Sequence, residues 1–143
     1  MTATWTPKET NTHQDHVIAH VLGTTILGYF VFDEALYLLL NIGFVWTIFL
    51  DGEMSLLPHP VAIGELELDN AAKDEFKADI DRLLQTGASR EDLSRMRAID
   101  GEFEISDVGF FEQENRRRLV LTSEERQIAI ETSLETAEIT LYE

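Results

Sequence analysis

Two unlike patterns of apolar and polar residues divide the chain. Residues 17–50 hold only two formal charges, Asp33 and Glu34, and seven of the 13 aromatics fall between Tyr29 and Phe49. Beyond residue 64 charges are dense and the apolar positions become periodic. In the first part, Thr12 followed by Asp15 marks a helix start and Gly23 a stop. Thr24 to Phe32 is rich in β-branched and aromatic residues and predicts a strand. Asp33 is placed to cap a short helix over Glu34–Asn41, ended by Gly43. Phe44 to Leu50, Asp51-Gly52 and Glu53 to Leu57 predict a β-hairpin, since Asp-Gly suits the positive φ of a tight turn.

In the second part, Asp69 or Asn70 caps a helix. Ala72, Phe76, Ile80, Leu83 and Leu84 recur at helical spacing on one face, and Gly87 ends it. Ser89 and Asp92 open a second helix, carried on by Leu93, Met96 and Ile99 and stopped at Asp100-Gly101. The tail predicts strands. Phe103 and Ile105, then Val108 and Phe110, read as one strand with a break near Ser106-Asp107. Leu119-Val120-Leu121 is a second. Ile128, Ile130, Thr132 and Leu134 alternate, as do Ala137, Ile139 and Leu141, which is the mark of an antiparallel sheet with one wet face. The fold class expected is therefore α+β: a mixed N-terminal helix/strand segment, two central helices and an antiparallel C-terminal sheet of about four strands. At 143 residues the chain fits one domain, spanning 1–143, with 1–11 as a flexible N-terminal tail. Pro58-His59-Pro60 is the clearest breaker and reads as a connection within that domain.

Charge and composition narrow the partners. The formal charge is −16, most of it beyond residue 60. A field of that sign repels phosphate backbones, so no nucleic acid is expected, while a basic protein partner is allowed. Cysteine is absent, which removes disulfides, thiolate zinc sites and cysteine nucleophiles. The start of the sequence lacks the basic-then-apolar pattern of a signal peptide, and a cytoplasmic location fits. Asp33-Glu34 splits the apolar segment into two runs of 16 residues. As helices these would reach about 24 Å against a hydrocarbon core of about 30 Å, so a core or subunit interface is expected in place of a membrane span.

The most suggestive chemistry is His13, His16 and His20, whose i, i+3, i+7 spacing puts them on roughly one helix face. His16 and His20 are one turn apart and suit a zinc ion, with His13 as a third ligand and Asp51, Glu53 or His59 available from the hairpin region. No Glu follows His16, so the zincin pattern is missing. Asp33 and Glu34 are candidates for a general acid or base in an apolar setting, or simply mark a turn. Arg116-Arg117-Arg118 suits a phosphate or carboxylate, but nearby glutamates Glu112, Glu114, Glu124 and Glu125 favour cross-strand ion pairs. There is no dinucleotide, P-loop or nucleophile-elbow motif. The expectation is an acidic, non-enzymatic binding or regulatory protein that self-associates through Tyr29–Phe49, a segment more apolar than a small monomer readily buries. The alternative is a small metal-dependent hydrolase built on the histidines.

Overall fold

The computed structural model describes residues 5–32, 34–49, 54–58, 61–85, 93–99, 102–136 and 138–142. In chain order the elements are β1 (Thr6–Pro7), α1 (Thr12–Val21), β2 (Ile26–Phe32), β3 (Ala35–Leu40), β4 (Phe44–Phe49), β5 (Met54–Pro58), α2 (Val61–Gly64), α3 (Asn70–Leu84), β6 (Arg97–Ala98), β7 (Asp107–Gln113), β8 (Arg116–Thr122), β9 (Gln127–Ser133) and β10 (Glu138–Tyr142). The strands form two five-stranded sheets, β5-β4-β3-β2-β6 and β1-β7-β8-β9-β10. Every pairing is antiparallel. The expected helix-rich α+β class is therefore corrected to a mostly β architecture.

Three layers follow from where the side chains point. Leu36, Leu38 and Leu40 of β3 enter one core with Ile26, Trp46, Ile48 and Met54, with Val17 and Val21 of α1, and with Phe110, Leu119, Leu121, Ile128 and Ile130 of the second sheet. The alternate residues Ala35, Tyr37 and Leu39 enter a second core with Leu27, Phe30 and Val45, closed by Phe76, Ile80 and Leu83 of α3. The N-terminal sheet thus lies between α3 and the C-terminal sheet. All six residues of β3 are buried.

That double burial overturns the helix expected over Glu34–Asn41. A strand covered on both faces has no polar alternation and reads as one apolar run, which periodicity does not separate from a helix. The turn joining β2 to β3 holds Glu34 at φ 60, an unfavoured left-handed conformation for a residue with a side chain. The hairpin of β4 and β5 is present, pairing Phe44 with Pro58 through Ile48 with Met54. Its Asp51-Gly52 turn lies outside the described residues.

The helix expected from Ser89 to Ile99 is also corrected. Residues 86–92 and 100–101 lie outside the described residues, while 93–99 are not helical: the chain bends at 94–95 and Arg97–Ala98 form β6 against β2. The cause is Asp79, a buried acid on α3. Its carboxylate accepts the backbone amides of Ser94 (2.8 Å), Arg95 (2.6 Å) and Met96 (2.9 Å), which holds those amides away from helical partners.

Helices α1 and α3 follow the sequence signals closely. Asn11, rather than Thr12, caps α1 in a capping box with Gln14, and Gly23 at φ 84 ends it. Asp69 caps α3. Of the tail expected over 1–11, residues 1–4 lie outside the described residues, but Thr6 and Pro7 pair with Glu112 and Phe111 of β7. The C-terminal sheet therefore has β1 in addition to the strands β7 to β10, where about four were expected. Pro7 fits there because an edge strand tolerates a residue with no amide hydrogen. No helix among the described residues is long and apolar enough to cross a membrane.

Candidate functional site

Two places gather chemistry-bearing side chains: a groove beside α1 and an acidic cleft at one end of the C-terminal sheet. The groove, about 270 Å³, is lined by His13, His16, Val17, His20, Phe44 and Leu56. The capping box sets the phase of α1, so that Gln14, Val17 and Val21 face inward and the three histidines stay exposed. His13 Nε2 lies 2.8 Å from the carbonyl of Met54 on β5 and so carries the proton it donates there. His20 Nδ1 lies 2.9 Å from the carbonyl of His16 and donates in the same way. The His16 and His20 rings are 4.5 Å apart, centroid to centroid, at 56°. Asp15 is engaged elsewhere by the Thr10 hydroxyl. The structure therefore brings the three histidines to one groove. Among the described residues, however, no three His, Cys, Asp or Glu side chains gather closely enough to hold an ion. Asp51, Glu53 and His59, the expected completing ligands, lie outside the described residues.

The other sequence candidates are placed as structural groups. Asp33 lies outside the described residues. Glu34 is exposed at its turn, not in the apolar setting that would make it an acid or base. The arginine run is paired within its sheet. Arg116 and Arg118 both reach Glu131 Oε1 of β9, at 3.0 and 3.3 Å. Arg117 stands 4.0 Å from Glu112 of β7. Arg118 also packs over the Trp5 ring, 4.2 Å from its centroid, a cation–π contact that helps hold the N-terminal strand on the sheet.

The acidic cleft was not foreseen. It encloses about 700 Å³ and is lined by Leu22, Gly23, Glu102, Glu104, Ile105, Ser106, Ser123, Glu124, Glu125 and Arg126. Three backbone contacts build it. Gly23, freed by its left-handed φ to leave α1, donates to the carbonyl of Ile105 (2.8 Å). Ser106 donates to Thr122 (2.7 Å), and Ser123 to Arg126 across the β8–β9 turn (2.9 Å). Phe103 and Ile105 are buried, which throws Glu102 and Glu104 outward. Arg126 lies with its guanidinium 5.5 Å from the Phe103 ring centroid. Leu22 in the wall is 43% exposed. The alternation of residues 102–105 is a legible signal for half of this site. Nothing local joins it to Glu124-Glu125.

No known protein family matches the chain, and no characterised protein or solved structure matches it in sequence or in fold.

Proposed function

We propose that this chain is a non-enzymatic binding or regulatory protein whose acidic cleft receives a basic segment of a partner protein. The observation that carries the reading is the convergence of Glu102, Glu104, Glu124 and Glu125 on one concave surface that also offers an exposed leucine. Four carboxylates focus a negative potential where a lysine or arginine side chain approaches, and the net charge of −16 steers it there. Leu22 would take the aliphatic stem of such a side chain. A cytoplasmic setting belongs to the same proposal, on the sequence grounds given above.

Self-association belongs to it too; most of Tyr29–Phe49 lies in the two cores, which leaves Val31, Ile42 and Phe49 as its exposed apolar side chains. The hydrolase alternative has less support than the binding reading. A catalytic zinc site takes three protein ligands and keeps one position open, whereas among the described residues no three His, Cys, Asp or Glu side chains gather closely enough to hold an ion.

The test is the affinity of a Lys/Arg-rich peptide, followed by fluorescence anisotropy in EDTA. A variant with Glu102, Glu104, Glu124 and Glu125 all changed to Gln should bind at least about tenfold more weakly, or ~1.4 kcal/mol. A control with Glu65→Gln, Glu67→Gln, Asp74→Asn and Glu138→Gln has the same net charge and should stay within about twofold. Equal losses in both would reduce the effect to net charge and overturn the reading.

A further inference from the structure

We propose that His16 and His20 form half of a transition-metal site, and that the same pair from a second copy of this chain completes it. This goes beyond binding at the acidic cleft and uses a different surface.

The argument starts from the ring nitrogens. The His20 Nδ1–H is committed to the carbonyl of His16, which fixes the tautomer and leaves Nε2 carrying the lone pair. A ring whose other nitrogen donates to a backbone carbonyl is oriented and made more basic, as in the outer shell of ordinary histidine metal ligands. The two rings stand one helical turn apart with centroids 4.5 Å from each other. Two nitrogens bound at about 2.0–2.1 Å in a tetrahedral zinc complex lie roughly 3.3 Å apart, a spacing that requires two rings as close as these. Imidazole suits zinc, copper and nickel better than magnesium or calcium, which sets the class of ion.

Two ligands are half of the four that a closed zinc site takes, and among the described residues no third His, Cys, Asp or Glu joins them. A second copy supplies the missing pair by symmetry, since a twofold contact presents the same patch from both sides. The surface suits that approach. Asp15 is the one formal charge of α1, so a contact through this helix adds little to the repulsion between two chains of net −16. Ala19, exposed between His16 and His20, leaves room for a close crossing.

The experiment uses the untagged full chain. Molar mass is followed by light scattering as zinc is added, and again after EDTA. The expected result is a doubling of mass saturating at one zinc per two chains and reversed by EDTA, with cobalt in place of zinc giving the intense visible bands of a tetrahedral site. His16→Ala and His20→Ala should each abolish the doubling, whereas His13→Ala should keep it. A single-chain mass at every zinc concentration would overturn the proposal. So would a doubling that survives His16→Ala or His20→Ala, or one lost in His13→Ala. Peptide binding at the cleft is measured in EDTA, so either proposal can fail while the other stands.

Discussion

The N-terminal sheet is covered on both faces, by α3 on one and by α1 and the C-terminal sheet on the other, while the C-terminal sheet is covered on one. Each sheet has five antiparallel strands. The difference is written in their residues. The central strand of the first, Ala35–Leu40, is apolar at every position, whereas β9 alternates Ile128, Ile130 and Thr132 inward with Gln127, Ala129, Glu131 and Ser133 outward. A continuous apolar run in a strand thus records two covering layers, and alternation records one. The doubly covered sheet contributes to both cores, and the proposed contact surfaces fall where coverage ends, in the groove beside α1 and at the open end of the second sheet.

The largest test of the contrast is Leu38→Ala at the centre of β3, where the side chain is fully buried. It should destabilise the protein by about 3–4 kcal/mol in urea unfolding, and a loss below about 1 kcal/mol would deny β3 its central place. Next is Asp79→Ala, which orphans three backbone amides at 94–96. The expected loss is about 2–3 kcal/mol, with faster hydrogen exchange at those amides, and unchanged exchange would remove Asp79 as the organiser of that loop.

Gly28→Ala probes how tightly α3 sits on the first sheet. An added Cβ would come within 2.7 Å of Leu83 Cδ1 and 2.8 Å of the Arg97 carbonyl, and because one of these is backbone the strain is not easily relieved. A loss of about 1–2 kcal/mol is expected, and a neutral effect would show that β6 and α3 yield. Glu34→Gly runs the other way. Relief of the left-handed φ of 60 should raise stability by about 1 kcal/mol, visible as a higher Tm. The smallest effect belongs to Val120→Thr on the outward row Gly109, Val120, Ala129 and Tyr142. A change within about 0.5 kcal/mol is expected, and a loss comparable to that of Leu38→Ala would mean that this face is covered after all.

The sequence by itself determined whatever depends on neighbours a few residues apart. Asp69 and the spacing of Phe76, Ile80 and Leu83 specify α3, because capping and helical periodicity are local. The same holds for the strand alternation of β9 and β10 and for the hairpin of β4 and β5. The helical spacing of His13, His16 and His20 likewise assigned them to one face of α1, and the structure lines one groove with all three. What only the tertiary structure decided depends on contacts distant in the chain. Residues 35–40 became strand because two layers cover them, and residues 93–99 are not helical because Asp79, 15 residues before Ser94, takes the amides of 94–96. A lone acid on the apolar stripe of α3 was a visible signal, but its target was not. The acidic cleft divides in the same way. Phe103 and Ile105 place Glu102 and Glu104 on one side of the segment leading into β7 by local alternation, whereas Glu124 and Glu125 reach them only because the antiparallel pairing of β7 with β8 returns the chain to the same end of the sheet. Periodicity assigns each residue a face, but only the packing of the layers decides which faces meet.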